Sequence, residues 1–446
     1  MKHLLTSLIT VFLFYTNSEA QAPLNPGILT SISIPKTGKA YQFQLKRGET
    51  CQLAVDQMGI DVILYVLNNR GDSLAVVDSP TGDYGTESFS FKAKKDQSIS
   101  LFIQPFESEN IPNGVVDIRL KILDKRALKA YKSMQKILAK ENKRNIQTLD
   151  ITHFWEAYDS LSTATDAADS ISIIQRLYID RATAGFKQFI AVRPEMNAYN
   201  YYMALRQFPK FYASLRGNTM EVFNAQSEVA FVFDQFKEAY DNFTPFKVCF
   251  AIGVLSTGGT VTSDYVLIGA ELTCSDICMD LSEFTEAPYN QLLPHLSYKG
   301  DITQKIRNIV AHECVHTQQV QDLNEEEITC SLLHACLSEG ICDFVGEYLV
   351  GEQINSNLQE YGLNHKESVL QAFFEDPCSG EIEDWLYNYG RFEDKPADLG
   401  YYVGYVFAEA FFEQATDKKQ AIRQLIEFRN AAYILDKGGF DTKGLE

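Results

Sequence analysis

Two histidines and a glutamate in the stretch "VAHECVHTQQ" have the residue types and the spacing of a catalytic metal site. His312 and His316 lie four residues apart, with Glu313 directly after the first, in the pattern H-E-x-x-H. On a helix, residues four apart share a face, so both imidazoles can bind one Zn²⁺ ion. Glu313 projects about 100° round the helix and can act as a base toward water. The stretch therefore predicts one catalytic zinc ion with Glu313 as the general base.

The third zinc ligand has two candidates. Asp322 follows His316 by six residues, as in the metzincin peptidases, but that arrangement turns the chain at a glycine, and Gln319 stands there instead. Glu339 lies on the next predicted helix, with Asp343 four residues further on. We expect Glu339 to complete a His₂Glu site, and we expect Asp343 to orient a ligand histidine through a hydrogen bond.

A helix and a pair of strands are predicted around the motif. Asp301 is a predicted N-cap, and apolar residues recur at helical spacing from 302 to 310, so a helix runs through H-E-x-x-H. The stretch 248–272 has two β-rich runs about Gly258 and Gly259, which we interpret as a hairpin in one small antiparallel sheet. An edge of this hairpin is the candidate strand for holding an extended substrate.

Hydrolysis also requires a donor that stabilises the oxyanion of the tetrahedral intermediate. Tyr401 and Tyr405 lie one helical turn apart in "LGYYVGYVF" and are the candidates for this role. The residues that bind the substrate, and therefore the cleavage preference, stay open.

Four stretches together resemble a bacterial family of predicted Zn-dependent peptidases of the gluzincin type. They are "GGTVTSDYVLIGAEL", "VAHECVHTQQ", "LSEGICDFVGEY" and "PADLGYYVGYVFAEAFFE", and the likeness spans roughly 150 to 440. The resemblance implies that His312, His316 and Glu339 bind zinc and that Glu313 is the base. It also implies an α+β, mostly helical, zincin-like domain.

The N-terminal part of the chain has a different pattern. Between about 27 and 123, short runs alternate apolar and polar residues, and turn formers such as "NNRGDS" separate them. This pattern predicts an all-β sandwich, jelly-roll-like, that precedes the helical domain. The segment resembles the bacterial pre-peptidase C-terminal type of domain, which implies an accessory module beside a secreted peptidase.

The predicted organisation has four parts. Residues 1–20 have a charged start, an apolar run and small residues at a cleavage site, which is typical of a signal peptide. The β-sandwich follows at 23–124, a helical connector rich in Lys and Arg at 125–148, and the zinc peptidase domain at 149–446. We therefore expect export to the periplasm or the cell exterior.

Composition limits the partners. The net charge of −19 over 446 residues argues against a nucleic-acid partner, because phosphates would be repelled. After the signal peptide, no stretch approaches the roughly 20 apolar residues that span a bilayer. We expect a peptide or protein substrate, no nucleic acid and no membrane span, while the oligomeric state and the pairing of the nine cysteines stay open.

The sequence favours a secreted zinc-dependent peptidase. The alternative is a catalytically inactive, zinc-containing binding or adhesion protein of the cell exterior. Zinc binding without peptide cleavage would favour this alternative.

Overall fold

The computed structural model describes residues 21–79, 82–106, 114–319, 330–388, 391–392, 395–443 and 445. These residues form two compact units, each described by itself. Unit 1 lies within Met1–Lys140, Ser160–Arg181 and Ile190–Tyr202, and unit 2 within Glu141–Asp159, Ala182–Phe189 and Met203–Glu446. The domain ranges 23–124, 125–148 and 149–446 stay a prediction.

The described part of unit 1 contains two β-sheets. Their strands are β1 (Ala22–Pro23), β2 (Leu29–Ser33), β3 (Lys39–Leu45), β4 (Thr50–Met58), β5 (Val62–Asn68), β6 (Ser73–Val77), β7 (Thr86–Lys92), β8 (Gln97–Pro105) and β9 (Val115–Ile122). One sheet has the order β1-β3-β8-β5-β6 and the other β2-β9-β4-β7. Apart from β1 on β3, the paired strands are antiparallel.

The alternation in the sequence produces the core of unit 1. Successive side chains of a strand point to opposite faces, so Leu53 and Val55 of β4 lie on the same face as each other. They share one apolar cluster with Ile118 of β9 and, from the other sheet, with Phe43 and Ile99. Two sheets with a common core form a β-sandwich. The predicted β-rich N-terminal region is confirmed, while its jelly-roll character stays a prediction.

Most of the remaining described chain is helical. The helices are α1 (Lys125–Glu141), α2 (Leu149–Ser160), α3 (Ala167–Leu177), α4 (Ala184–Val192), α5 (Ala198–Gln207), α6 (Pro209–Thr219), α7 (Gln226–Ala239), α8 (Ala270–Thr273), α9 (Leu293–Leu296), α10 (Ile302–His316), α11 (Ser331–Val350), α12 (Ser356–Asn364), α13 (Lys366–Phe373), α14 (Leu399–Gln414), α15 (Lys418–Ile426) and α16 (Ala431–Lys437). The predicted helical character of the C-terminal part is confirmed. Among the described residues, none of the helices has the length and apolar character that crossing a bilayer requires.

A four-stranded sheet lies within unit 2. Its strands are β10 (Ile146–Gln147), β11 (Lys247–Ala251), β12 (Gly259–Val261) and β13 (Tyr265–Gly269), in the order β10-β11-β13-β12. β10 and β13 both pair with β11 in parallel, and only β12 is antiparallel to its neighbour. β10 also falls inside the range 125–148 of the predicted helical connector, where α1 ends at Glu141.

The predicted antiparallel hairpin at 248–272 is therefore wrong. Its two β-rich runs, β11 and β13, are parallel, and the tight turn joins β12 to β13, where Thr262 N–H donates to the carbonyl of Tyr265 at 2.8 Å. Both runs are buried almost throughout, which suits parallel strands whose two faces are covered. The sequence of both runs lacks apolar–polar alternation, which is typical of parallel strands, whereas the glycine pair suggested a hairpin turn.

A capping residue fixes the start of α10, which carries H-E-x-x-H, and two glycines set how closely α11 and α14 pack. The carboxylate of Asp301 accepts hydrogen bonds from Thr303 N–H at 2.8 Å and Gln304 N–H at 3.1 Å, which confirms the predicted start of α10. On α11, a Cβ at Gly340 would overlap the backbone of Gly404 on α14. Because glycine stands at both positions, the two helices approach closely there.

A disulfide bond ties the start of α11 to the chain that follows α13. It joins Cys330 to Cys378 and closes a segment of 48 residues. The main chain adds a hydrogen bond nearby, from Leu333 N–H to the carbonyl of Pro377 at 3.1 Å. The first turn of the helix that carries Glu339 is therefore fixed covalently.

Candidate metal centre

Three side chains from α10 and α11 converge on one point inside unit 2. Oε2 of Glu339 lies 3.1 Å from Nε2 of His316 and 3.5 Å from Nε2 of His312. Around a tetrahedral zinc ion with bonds of about 2.0 to 2.1 Å, neighbouring ligand atoms are about 3.3 Å apart. The two distances bracket this value, so these donors fit a zinc ion between them.

Asp343 contacts the ring of the first histidine. Its Oδ1 lies 2.7 Å from Nδ1 of His312, and its Oδ2 accepts a hydrogen bond from the amide of Asn355 at 2.9 Å. A proton on Nδ1 that is donated to Asp343 leaves the lone pair of Nε2 for a metal. Asp343 thus contacts His312 on one side and Asn355 on the other, and its orienting role stays a prediction.

Gln319 contacts Nδ1 of the second histidine, as Asp343 contacts Nδ1 of the first. Its Oε1 lies 2.9 Å from Nδ1 of His316, and its amide donates to the carbonyl of Ser338 on α11 at 2.9 Å. In the sequence, Gln319 stands where metzincins have a glycine. Its spacing of three residues from His316 could have shown that it lies next to that ring.

The charges at the site favour a bound cation. Burial by itself lowers the pKa of His312, but hydrogen bonds to Asp343 and Glu339 raise it well above its usual value. Burial likewise lowers the pKa of His316, and the charge of Glu339 outweighs this and raises it. Burial raises the pKa of Glu339, yet the two histidines hold it well below its usual range. The carboxylate thus stays ionised and draws positive charge to the two rings.

The general base predicted from the sequence lies against a strand. Glu313 is 6% exposed, and a Cβ at Gly259, the first residue of β12, would overlap its carboxyl group. β12 is an edge strand of its sheet. The side chain of Glu313 therefore reaches a strand that can accept another strand along its open edge.

Cys342 is a second possible donor on α11. Its Sγ and the ring nitrogens of His312 and His316 all lie within 4.8 Å of one another, and the residue is fully buried. Burial, followed by the charge of Glu339, raises the pKa of this thiol well above its usual value. Since zinc binds the thiolate, and since Glu339 is within 3.5 Å of both rings, Glu339 fits better as the third ligand.

The two tyrosines named as candidate oxyanion donors have different surroundings. The ring of Tyr401 stacks on His312, with 5.8 Å between ring centroids. Tyr405 instead donates from its hydroxyl to Glu347 at 3.1 Å, and so points away from Glu339. The hydroxyl that does reach Glu339 belongs to Tyr387, which donates to Oε1 at 2.5 Å. Tyr387 lies in a loop 48 residues after Glu339, where no spacing rule marks it.

Asp322, the alternative third ligand, lies outside the described residues. Within unit 2, the structure brings His312, His316, Glu339, Asp343 and Glu313 together. Their roles as ligands, base and orienting residue stay predictions. The arrangement offers a His₂Glu donor set, a buried carboxyl group beside it and an adjacent edge strand.

These features are those of a candidate metal site of one class, in which a helix carries H-E-x-x-H and a second helix carries a glutamate. Residues 292–432 match a family described as "Predicted Zn-dependent protease (DUF2268)". The match covers less than half of the chain but includes every proposed ligand. No curated protein matches the chain.

Two solved structures are similar to parts of the chain. The pre-peptidase C-terminal domain of collagenase from Bacillus anthracis is 14% identical, with 24% of this chain and 99% of that chain covered and a TM-score of 0.21. The P-domain of Macrobrachium rosenbergii nodavirus is 11% identical, with 23% and 98% covered and a TM-score of 0.12. At such TM-scores, neither similarity supports an argument about this protein.

Proposed function

We propose that this protein is a zinc-dependent peptidase in which His312, His316 and Glu339 bind the metal and Glu313 is the general base. One observation carries the proposal. A single oxygen of Glu339 lies within 3.5 Å of both Nε2 atoms, at the separation of ligands around tetrahedral zinc. The family that residues 292–432 match supports the same function.

The side chains of the site divide the reaction between them. A zinc ion bound by these ligands supplies Lewis acidity, which makes water a nucleophile near neutral pH. Glu313 accepts the proton of the attacking water and then delivers it to the leaving amine. Asp343 and Gln319 hold the two imidazoles in the orientation that ligation needs. Tyr401, stacked on His312, stays a candidate donor to the oxyanion.

The substrate we propose is a peptide segment bound in extended form. β12 is an edge strand, and its first residue, Gly259, contacts the side chain of the base. A peptide that paired with this edge would have its main chain fixed near Glu313 without any demand on its side chains. Methylation of the peptide nitrogens flanking the scissile bond should therefore weaken binding strongly.

We further propose that the protein is exported to the periplasm or the cell exterior. The signal peptide predicted at 1–20 supports export, although these residues lie outside those that the structure describes. The bond between Cys330 and Cys378 suits an oxidising compartment. Sequencing the N-terminus of protein recovered from the periplasm and the medium tests the proposed export. Protein that stays in the cytoplasm and keeps its first 20 residues would contradict it.

Metal content is the first test of the function. Elemental mass spectrometry of the purified chain should find one zinc ion in the wild type, in Asp322→Ala and in Cys342→Ser, and strong loss in Glu339→Gln. Loss of zinc in Asp322→Ala alone would identify Asp322, rather than Glu339, as the third ligand. Loss of zinc in Cys342→Ser alone would identify the thiol of Cys342 as that ligand. A wild type that takes up no zinc even from added metal would refute the proposal.

Removal of the base separates catalysis from metal binding. Glu313→Gln keeps the shape of the side chain but not its basicity, so cleavage of a peptide library should fall by about 10³-fold while zinc is retained. Glu360→Gln, an exposed acid on α12, is the matched control and should cleave like the wild type. Zinc without any cleavage in the wild type would instead identify an inactive zinc-containing binding protein.

A further inference from the structure

The loop before α14 carries a tyrosine whose hydroxyl bonds to the proposed zinc ligand Glu339. We infer that Tyr387 is a positioning residue of the metal centre, one that holds one carboxylate oxygen of Glu339 so that the other faces the histidines. The inference rests on the proposed function, because it concerns how Glu339 is presented to zinc.

The two oxygens of Glu339 have different partners. Oε1 accepts a hydrogen bond from the hydroxyl of Tyr387 at 2.5 Å. Oε2 lies 3.1 and 3.5 Å from the Nε2 atoms of the two histidines. A carboxylate divided in this way binds a metal through a single oxygen, because the second is occupied by a donor. With one oxygen of Glu339 and two imidazoles as ligands, a tetrahedral zinc ion would keep its remaining position for water.

The backbone of the loop before α14 has two strained residues, and one of them is Tyr387, whose hydroxyl contacts Glu339. Tyr387 has a φ of 56°, and Asp398, the N-cap of α14, has a φ of 63°. Such left-handed conformations are unfavourable for non-glycine residues and persist where surrounding contacts impose them. Here Tyr387 N–H donates to Oδ1 of Asp398 at 2.6 Å, and Asp398 N–H donates to Oδ1 of Asn388 at 2.8 Å.

Packing does not explain the conformation of Tyr387. The residue is 63% exposed, whereas the nearby Tyr402, a core residue, is 1% exposed. A tyrosine held for its apolar surface would bury its ring. Tyr387 as a whole instead stays largely exposed while its hydroxyl contacts Glu339, which is 7% exposed. The loop conformation therefore positions the hydroxyl of Tyr387 and does not bury its ring.

Loss of this hydrogen bond should weaken metal binding. Partners that orient a metal ligand typically contribute 10- to 100-fold in affinity. In Tyr387→Phe, Oε1 of Glu339 is released, and the carboxylate can rotate or bind the metal with both oxygens. The variant keeps the ring and the loop, so a change in metal affinity reports on the hydroxyl.

The test measures the zinc affinity of the full chain by competition with a chromogenic chelator, without any need for a substrate. Tyr387→Phe should weaken zinc binding at least about tenfold. Tyr348→Phe is the matched control, since Tyr348 is 48% exposed on α11 and its ring packs on Phe412. This control should stay within about twofold of the wild type.

A second readout is the visible spectrum of the cobalt-substituted protein, which depends on the coordination number. Tyr387→Phe should shift this spectrum toward higher coordination, and Tyr348→Phe should not. Asp398→Ala should weaken zinc binding with the hydroxyl still present, and Asp398→Asn should restore it in part because Oδ1 remains an acceptor. Thermal melting of each variant verifies that it is folded.

The outcomes separate this inference from the proposed function. Zinc affinity and cobalt spectrum unchanged in Tyr387→Phe, with one zinc ion in the wild type, would overturn the positioning role and leave the peptidase proposal intact. A wild type without zinc affinity would overturn both. Weakening by the same factor in Tyr348→Phe would show a general effect of tyrosine removal and would also overturn the role of Tyr387.

Discussion

The β-sandwich of unit 1 buries mainly apolar side chains, whereas the helix pair of unit 2 buries acids and imidazoles side by side. In β9, the buried positions recur at every second residue and are all apolar, and in β4 most of the buried residues are apolar as well. In α10 and α11, three acids and one histidine of the predicted site are each less than a tenth exposed: Glu313, Glu339, Asp343 and His312. The helix pair thus adds a cluster of buried acids and a buried imidazole to apolar positions of the kind that the sandwich also buries.

The contrast lies in what each kind of burial contributes to folding. Apolar surface removed from water stabilises by roughly 25 cal/mol per Å². A buried polar group without a partner instead costs about 1 to 3 kcal/mol, and a buried charge costs more. The metal centre therefore depends on pairings such as that of His312 with Asp343. Departures from apolar burial, when they cluster on neighbouring helices, indicate a functional site.

The largest effect is expected from adding one methyl group at Gly259, beside the proposed base Glu313. A Cβ at Gly259 would overlap the carboxyl group of Glu313, while a Cβ at Gly258 would have nothing within 4 Å. Gly259→Ala should displace the base and lower kcat/KM for a peptide substrate by about 10³-fold, or about 4 kcal/mol, with zinc retained. Gly258→Ala should stay within about twofold. Equal losses in both variants would refute the contact between Glu313 and β12.

A smaller effect should distinguish the two regions by their stability. Replacing Cys330 and Cys378 by serine opens a 48-residue segment, which should destabilise unit 2 by about 3 kcal/mol. Hydrogen exchange followed by mass spectrometry should show faster exchange in α11 and unchanged protection in β4 and β9. The control is Cys278→Ser, an exposed cysteine outside the disulfide. Equal loss of protection in β4 and β9 would contradict a separate effect on unit 2.

The smallest effect concerns the acid that the sandwich does bury. Burial raises the pKa of Glu87 from 4.5 to about 7, although Ser79 donates two hydrogen bonds to it. The folded state then holds a proton that the unfolded state has released, so stability should fall as pH rises from about 4.5 to about 7.

Glu87→Gln removes this titration. The difference in unfolding free energy between pH 5 and pH 8 should shrink by about 2 kcal/mol relative to the wild type, as denaturant titrations can measure. Asp83→Asn, at an exposed acid of the same unit, should leave the pH dependence as it is. A pH dependence preserved in Glu87→Gln would show that another group causes it.

Local patterns were sufficient for several elements. The capping residue Asp301 and the apolar spacing after it predicted α10, and the alternation around Leu53 predicted the β-rich N-terminal region. These patterns succeed because a cap or a period of two depends on residues close in the chain. The hairpin prediction failed at Gly259, because that glycine fits the side chain of Glu313 from another element rather than a turn.

Residues that act across the chain were beyond such patterns. Tyr387 reaches Glu339 from a loop, and Asn355 supports Asp343 from the start of α12. Neither has a spacing relative to its partner that a helix or strand imposes. Tyr405 shows the converse, since a shared helical face suggested a site role while its hydroxyl contacts Glu347.

The sequence by itself determined the donor types and their helical spacing, because H-E-x-x-H and E-x-x-x-D place pairs of side chains on one face of a helix whatever surrounds it. Only the tertiary structure decided that Oε2 of Glu339 meets both imidazoles and that Gly259 lies against Glu313. The physical reason is that the distance between side chains on different elements depends on how closely the backbones approach. Here Gly346 allows α11 to come close to α10, since a Cβ there would lie 3.3 Å from the backbone of Ala311 and His312, and no local pattern records that distance.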